Sequence, residues 1–214
     1  MSQRALLLIG SPKGLKASNS ARYGDALAGR LETAGWRVDR IHAHESVATF
    51  DASSAMCQTA AASDLVLLVA PLYVDTLPGP MLRALEILAL ASEHSQMAQS
   101  PAFCVLIHCG FIEPRQNETA VALCKEFAEQ AGWEWRGGLM LGGGGIPSKR
   151  ARRTLGEAAD ALARGDAIAA KIAARAAEPT MPRWLYILGG NAMWRRVAKK
   201  QNVSRKDLRA RPYA

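Results

Sequence analysis

The sequence predicts a doubly wound α/β domain, a five-stranded parallel sheet of strand order 2-1-3-4-5 with helices on both faces, followed by a basic C-terminal extension. Three observations lead there. Apolar runs of strand length alternate with longer segments of helical period, five times along the chain. Three of these runs are almost wholly apolar, the pattern of strands buried on both faces, where half-exposed antiparallel strands would alternate. The repeat length of about 30 to 40 residues leaves room for a right-handed helical crossover after each strand.

Taken in order, the strands are read at residues 5–9, 37–41, 65–70, 103–107 and, less sharply, 138–141. Helical period follows them over residues 20–34, 53–63, 80–93, 117–132 and 155–177. Gly35 and Gly132 stand where helix C-terminal glycines are expected, and Pro80 stands in a first turn. A chain of 214 residues makes one ordinary domain plus an extension, divided here into 1–178 and 179–214.

The formal charge of +8 invites a nucleic-acid reading until it is located. Residues 183–214 hold nine Lys or Arg and a single acid, Asp207, leaving 18 bases and 18 acids in the rest. The body is neutral and the tail carries everything, so a nucleic-acid-binding domain is not expected. Cys57, Cys104, Cys109 and Cys124 form no C-x-x-C pair, which points to neither a disulfide framework nor a metal site. With no leader pattern and no apolar stretch of about 18 residues, a cytoplasmic protein is expected.

In a 2-1-3-4-5 sheet the switch point lies between strands 1 and 3, so ligand chemistry is expected on the loops after them. The first loop reads "GSPKGLKASNS" from Gly10. It is neither a Walker A loop nor a G-x-G-x-x-G fingerprint. Ser11, Ser18, Asn19 and Ser20 offer side-chain donors near a helix N-terminus, where free N–H groups and the helix dipole favour a phosphate monoester. Plain helix capping by Ser18, Asn19 or Ser20 is the alternative use of the same residues. After strand 3 comes "APLYVDTLPGPMLRALE", in which prolines stiffen a loop carrying Leu72 and Tyr73. Such a loop suits a flat aromatic ligand, or is only a packed turn.

The two stretches together resemble the flavodoxin-like fold family of NAD(P)H-dependent FMN reductases and quinone reductases, and the strand rhythm extends the similarity to about residue 177. The resemblance implies FMN, with its phosphate at Ser11, Ser18, Asn19 and Ser20 and its ring at Pro71, Leu72, Tyr73 and Val74. Lys13, together with Lys16, places positive charge in a loop that electron-carrier flavodoxins keep uncharged, and joins the cofactor-binding set. The resemblance also implies NAD(P)H as cosubstrate, a small electron acceptor such as a quinone or free flavin, and a homodimer. Backbone amides near Val74 and Asp75 would tune the ring, and no side chain is obligatory for catalysis. A phospho-receiver domain of the same topology is excluded, because Ser11, Pro12 and Pro71 stand where it needs acids.

Cys109, Gly110 and Phe111 follow strand 4 and would complete the flavin pocket, with Gly110 permitting close approach of the backbone. His108 and Cys109 are read as a structural histidine and a small buried hydrophobe, since neither has a visible partner. The glycines from Gly142 are a weaker candidate, and the basic cluster 149–153 suits a solvated first turn as well as a nucleotide phosphate. In the tail, Trp184, Leu185, Ile187 and Leu188 form an apolar group, while Trp194 and Val197 lie among cations. That composition fits an anchor to an anionic membrane surface, or packing of the apolar residues on the body or a dimer partner. A module of this fold without redox activity, acting through its tail on a membrane or protein, is the competing reading.

Overall fold

The computed structural model describes residues 3–12, 18–94, 100–144, 149–168 and 181–210. The chain forms two units, Met1–Pro179 and Thr180–Ala214. In the first, β1 (Arg4–Ile9), β2 (Arg37–His42), β3 (Leu65–Pro71), β4 (Ala102–His108) and β5 (Glu134–Leu141) make one sheet of order β2-β1-β3-β4-β5. Every neighbouring pair is parallel. The expected fold class is the observed one.

Alternation along the strands decides which helix covers which face. Leu7, Ile9, Leu67, Val69, Leu106 and Leu139 face α1 (Asn19–Thr33) and α6 (Lys149–Ala163). Leu6, Leu8, Leu68, Phe103 and Val105 face α3 (Phe50–Ala61), α4 (Gly79–Glu93) and α5 (Glu118–Gln130), with a short α2 (Ala43–Ser46) between β2 and α3. Phe103 is fully buried and sets its ring edge-on to Phe127 and Trp133 at 5.3 and 5.6 Å. The central strands are buried on both faces because the chain returns to the sheet edge along a helix each time, on one face or the other.

Element ends follow local chemistry. Ser18 caps α1 by accepting from Ala21 N–H at 3.0 Å, and Thr49 caps α3 in the same way at 3.2 Å. Gly35 and Gly132 adopt φ of +92° and +69° just beyond α1 and α5, the left-handed positions their sequence places predicted. The bounds of α6 and β5 differ most from expectation, and α3 starts three residues early, at Phe50. Helix α6 starts at Lys149, six residues before the apolar pattern at residue 155, because its first turn faces solvent and shows no apolar period. It ends at Ala163 with Gly165 at φ +78°, and the later part of the expected helix, residues 169–177, lies outside the described residues. Strand β5 begins at Glu134, before a bulge opposite Phe103 and Cys104 that masks its alternation.

The edge strand β2 is dressed with charge. Arg40 pairs with Glu32 at 2.8 Å and Asp25 at 3.2 Å, and Asp39 receives Arg4 at 3.0 Å. In the interior, the described polar groups are few and tied. His108, at the end of β4, is 7% exposed; its Nε2 lies 2.8 Å from Ser20 Oγ, and its ring meets Tyr23 edge-on at 5.4 Å. The N-terminal turn of α1 is thus moored to the fourth strand.

Burial holds the His108 pKa down to about 4, so the folded imidazole is neutral at pH 7. In the unfolded chain the group takes up its proton near its ordinary value of 6.5. The sign follows: below that pH the unfolded state binds more protons, and stability falls as pH drops from about 6.5 toward about 4. The predicted loss across that window is of order 3 kcal/mol, and His108→Gln flattens that part of the pH–stability curve measured by urea unfolding. An equal slope in the variant assigns the acid sensitivity elsewhere.

Candidate functional site

The C-terminal ends of β1 and β3 are neighbours, and their crossovers leave toward opposite faces of the sheet: α1 on one side, α4 on the other. A crevice opens between such loops by topology alone. Its floor admits no side chain at Gly10. A Cβ there would lie 2.7 Å from Met81 Cε and 2.9 Å from Ala70 Cβ, while Gly10 N–H bonds Val69 O at 2.9 Å. Glycine lets the first loop leave the sheet flush with α4.

Of the residues expected to meet a phosphate, Ser18, Asn19 and Ser20 stand together at the start of α1, mostly with duties inside the protein. Ser18 is the helix cap, and Ser20 Oγ is held by His108. Asn19 donates to Gly144 O at 3.1 Å and accepts from Arg22 at 3.0 Å, joining α1 to the loop after β5. Ser11 is buried, and its carbonyl accepts from His42 Nε2, a contact that fixes the loop to the end of β2. Lys13 lies outside the described residues. These serines keep their hydroxyl chemistry. Ser18 accepts with its oxygen and retains an O–H, and Ser20 retains one when the His108 Nε2 carries the proton; both side chains are buried, at 3% and 1% exposure. The capping alternative is therefore observed for Ser18, and it does not exhaust the group.

The ring-side residues are placed differently. Leu72 N–H bonds His108 O at 2.8 Å, prolonging β3 against β4 beyond Pro71. Tyr73 and Thr76 then exchange two backbone hydrogen bonds, at 2.8 and 3.1 Å, around a two-residue turn. Val74 and Asp75 both have positive φ, +48° and +60°, the pair of signs a type I′ turn requires. Asn-Gly is the usual occupant; a β-branched valine there costs on the order of 1–2 kcal/mol. Val74 is 97% exposed, so no burial of its side chain compensates for that cost. Tyr73 and Phe111 are 45% and 55% exposed. Large apolar side chains and a strained turn thus stand open along the adjacent β3 and β4 loops.

Behind them the fourth and fifth loops interlock. Cys109 N–H bonds Leu141 O at 2.9 Å, Gly144 N–H bonds Cys109 O at 2.9 Å, and Gly143 N–H bonds Phe111 O at 2.6 Å. A Cβ on Gly142 would lie 2.2 Å from Ile112 O, so only glycine fits there. Asn117, fully buried, donates to Pro114 O at 3.0 Å and Leu141 O at 3.3 Å. Cys109 is buried and burial pushes its thiol pKa up, which disfavours the thiolate a nucleophile needs. Gly110 is exposed with open space where a Cβ would stand, whereas Gly142 is packed tightly against the fourth loop. In the cluster 149–153, Arg153 is paired with Glu157 at 2.8 Å on α6.

Sequence reasoning missed the left-handed turn at Val74 and Asp75, because neither residue announces it. It also missed the partnership of Ser20 with His108, 88 residues apart. A groove of about 690 Å³ lies elsewhere, between the α2–α3 segment and α4, lined by Val47, Phe50, Cys57, Arg83 and Leu90. Its volume alone does not make it the better site, since the strand-end loops converge at the crevice. The four cysteines are free thiols, and among the described residues no group of three or more potential ligands could hold a metal.

No family model and no curated protein matches the chain. Solved structures do. An FMN-dependent NADH-azoreductase from Bacillus anthracis in complex with FMN aligns with a TM-score of 0.60 at 14% identity, over 75% of this chain and 100% of that one. An NAD(P)H:quinone oxidoreductase from Methanothermobacter marburgensis aligns at 0.58 and 14%, covering 76% and 96%. A flavodoxin from Streptococcus pneumoniae aligns at 0.56 and 17%, covering 76% and 99%. Likeness at such identities speaks of architecture: the chain has the flavodoxin-like fold, which FMN-dependent reductases and flavodoxins share.

Proposed function

We propose that this chain is an FMN-dependent oxidoreductase that passes hydride from NAD(P)H through bound flavin to a small acceptor such as a quinone or free flavin. The observation that carries the reading is the turn at Val74 and Asp75: two left-handed non-glycine residues, fully presented to solvent at the switch point of the sheet. Strain of that kind persists where the surrounding structure over-determines it, and it gathers at ligand sites. The flavodoxin-like fold, which NAD(P)H- and FMN-dependent structures also have, supports the same assignment.

The residues present fit FMN. The α1 N-terminus, with the Ser18 and Ser20 hydroxyls and the backbone N–H groups of its first turn, would hold the phosphate. Tyr73, Leu72 and Phe111 would cover the ring, and the exposed N–H groups of the Val74–Asp75 turn would stabilise negative charge at its edge. Bound FMN supplies the hydride acceptance and release; the chain supplies position, electrostatics and an open face. That face, bordered by the part-exposed Tyr73 and Phe111, would receive the nicotinamide and the acceptor in turn. His108, neutral at pH 7, would hold Ser20 in place.

Purified protein should be yellow, and the extracted flavin should have the mass of FMN; NAD(P)H oxidation should then depend on added quinone. Protein that takes up no flavin at micromolar FMN supports the redox-inactive module instead.

Three variants resolve the parts. FMN should bind at least about tenfold more tightly than riboflavin, and Ser18→Ala should shrink that ratio about tenfold, since a hydrogen bond to a charged acceptor contributes about 1.5 kcal/mol or more. The same change removes the α1 cap and lowers stability by about 1 kcal/mol, which leaves the ratio as the informative quantity. Tyr73→Ala should weaken FMN about fivefold and reduce quenching of its fluorescence, the effect of losing an aromatic contact of about 1 kcal/mol. Val74→Gly should raise the urea midpoint by relieving about 1 kcal/mol of backbone strain, and an unchanged midpoint would show that valine is at ease in the turn.

A further inference from the structure

The second unit contains a feature the flavin reading does not use. Helix α7 (Arg183–Lys200) has no buried residue. Its first half is apolar around most of its circumference, with Trp184, Leu185, Ile187 and Leu188 after a single arginine. Gly189 and Gly190 interrupt it, weakening the helix where its character changes. At 100° per residue, Met193, Trp194 and Val197 then share one side while Arg195, Arg196, Lys199 and Lys200 fan over the other.

The segment after α7 enlarges the apolar side. The chain reverses at Asn202, with φ +57°, and Val203 N–H returns to Ala198 O at 2.9 Å. Ser204 and Asp207 cap each other, Ser204 N–H to the carboxylate at 2.8 Å and Asp207 N–H to the hydroxyl at 3.2 Å. These bonds fold a 3₁₀ turn (Asp207–Arg209) so that Leu208 and Val203 line an apolar hollow of about 470 Å³ together with Trp194, Val197 and Ala198. Arg195 stands at the same hollow, and Arg205, Lys206 and Arg209 lie on the returning segment.

We propose that this unit docks the protein on an anionic lipid bilayer surface. Charge and apolarity select that occupant jointly. Nucleic acid would use the cations and could stack on tryptophan, but it would leave Leu185, Ile187, Leu188 and Leu208 in water. A second copy of the tail would cover those residues while bringing two clusters of nine basic residues together, with one acid in each. A headgroup layer over hydrocarbon accepts both kinds of group at once: cations at the phosphates, tryptophans at the interface, aliphatic side chains below. Among the described residues no helix is long and apolar enough to cross a membrane, so the unit lies on the surface.

The inference is independent of the flavin, and its test uses the full chain. Binding is measured by co-sedimentation with vesicles of phosphatidylcholine, alone or mixed with phosphatidylglycerol, at low and high salt. Trp36 and Trp133 are buried while Trp184 and Trp194 are each 66% exposed, so a vesicle-induced blue shift of tryptophan emission reports chiefly on the tail. Binding is expected only with phosphatidylglycerol, fading at high salt. Replacing Arg195, Arg196, Lys199 and Lys200 together by glutamine should weaken it a hundredfold or more, at about fivefold for each cation near the surface. Trp194→Ser with Leu208→Ser should weaken it about tenfold and reduce the shift to the part that Trp184 contributes. All six positions lie outside the folded interior, and circular dichroism confirms each variant; should one lose helix, the salt series on the unaltered protein decides. Equal binding to both vesicle types, none to either, indifference to the apolar pair, or retention by duplex DNA in place of vesicles overturns the proposal. So does a dimer in solution that Trp194→Ser dissociates while vesicles go unbound.

Discussion

Everything in the first unit depends on burying β1 and β3 from both sides. Leu6, Leu7, Leu8, Leu67 and Leu68 are at most 1% exposed, and a parallel strand reaches that state only when helices cover both faces. Each return to the starting edge must then be a crossover, and every loop that follows a strand collects at the same edge. The crevice follows from this. Chemistry needs a place where the backbone is free to take unusual shapes, and the covered sheet confines such shapes to one rim.

The rim is stiffened in two ways. Side-chain ties bind loops distant in sequence: Ser20 to His108, Asn19 to Gly144, His42 to the Ser11 carbonyl. Backbone contacts then lock the fourth loop to the fifth, with Gly142 against Ile112. A left-handed valine can endure on such a frame. Its cost of about 1–2 kcal/mol is small beside the apolar burial beneath it, though it is a sizeable fraction of net stability.

Much of the architecture was legible in the chain. β1, β3 and β4 read as unbroken apolar runs because both their faces are dry, and Gly35 and Gly132 marked helix ends because positive φ selects glycine. What stayed hidden has physical reasons. The first turn of α6 faces water and carries no apolar period, and the bulge in β5 breaks alternation. The tail reads as scattered apolar residues since α7 lacks a single apolar stripe along its length. At the candidate site, residue types pointed to the loops after β1 and β3, whose strands are neighbours in the sheet, yet what each serine holds is a tertiary matter. Capping was readable for Ser18 from the helix it precedes; the histidine held by Ser20 lies on another strand and leaves no mark on neighbouring residues.

The charged dress of β2 bears on how copies of this chain coexist. An edge strand presents unpaired N–H and C=O groups that could continue the sheet into another molecule. Arg37, Asp39 and Arg40 populate that border, and Arg40 is held by Asp25 and Glu32 of α1. A strand arriving from outside would have to displace those ion pairs and strip water from the cations. The surface pairs are worth little as stabilisers, about 0 to 1 kcal/mol each, so their value is better read as protection against fibrillar growth in a crowded solution.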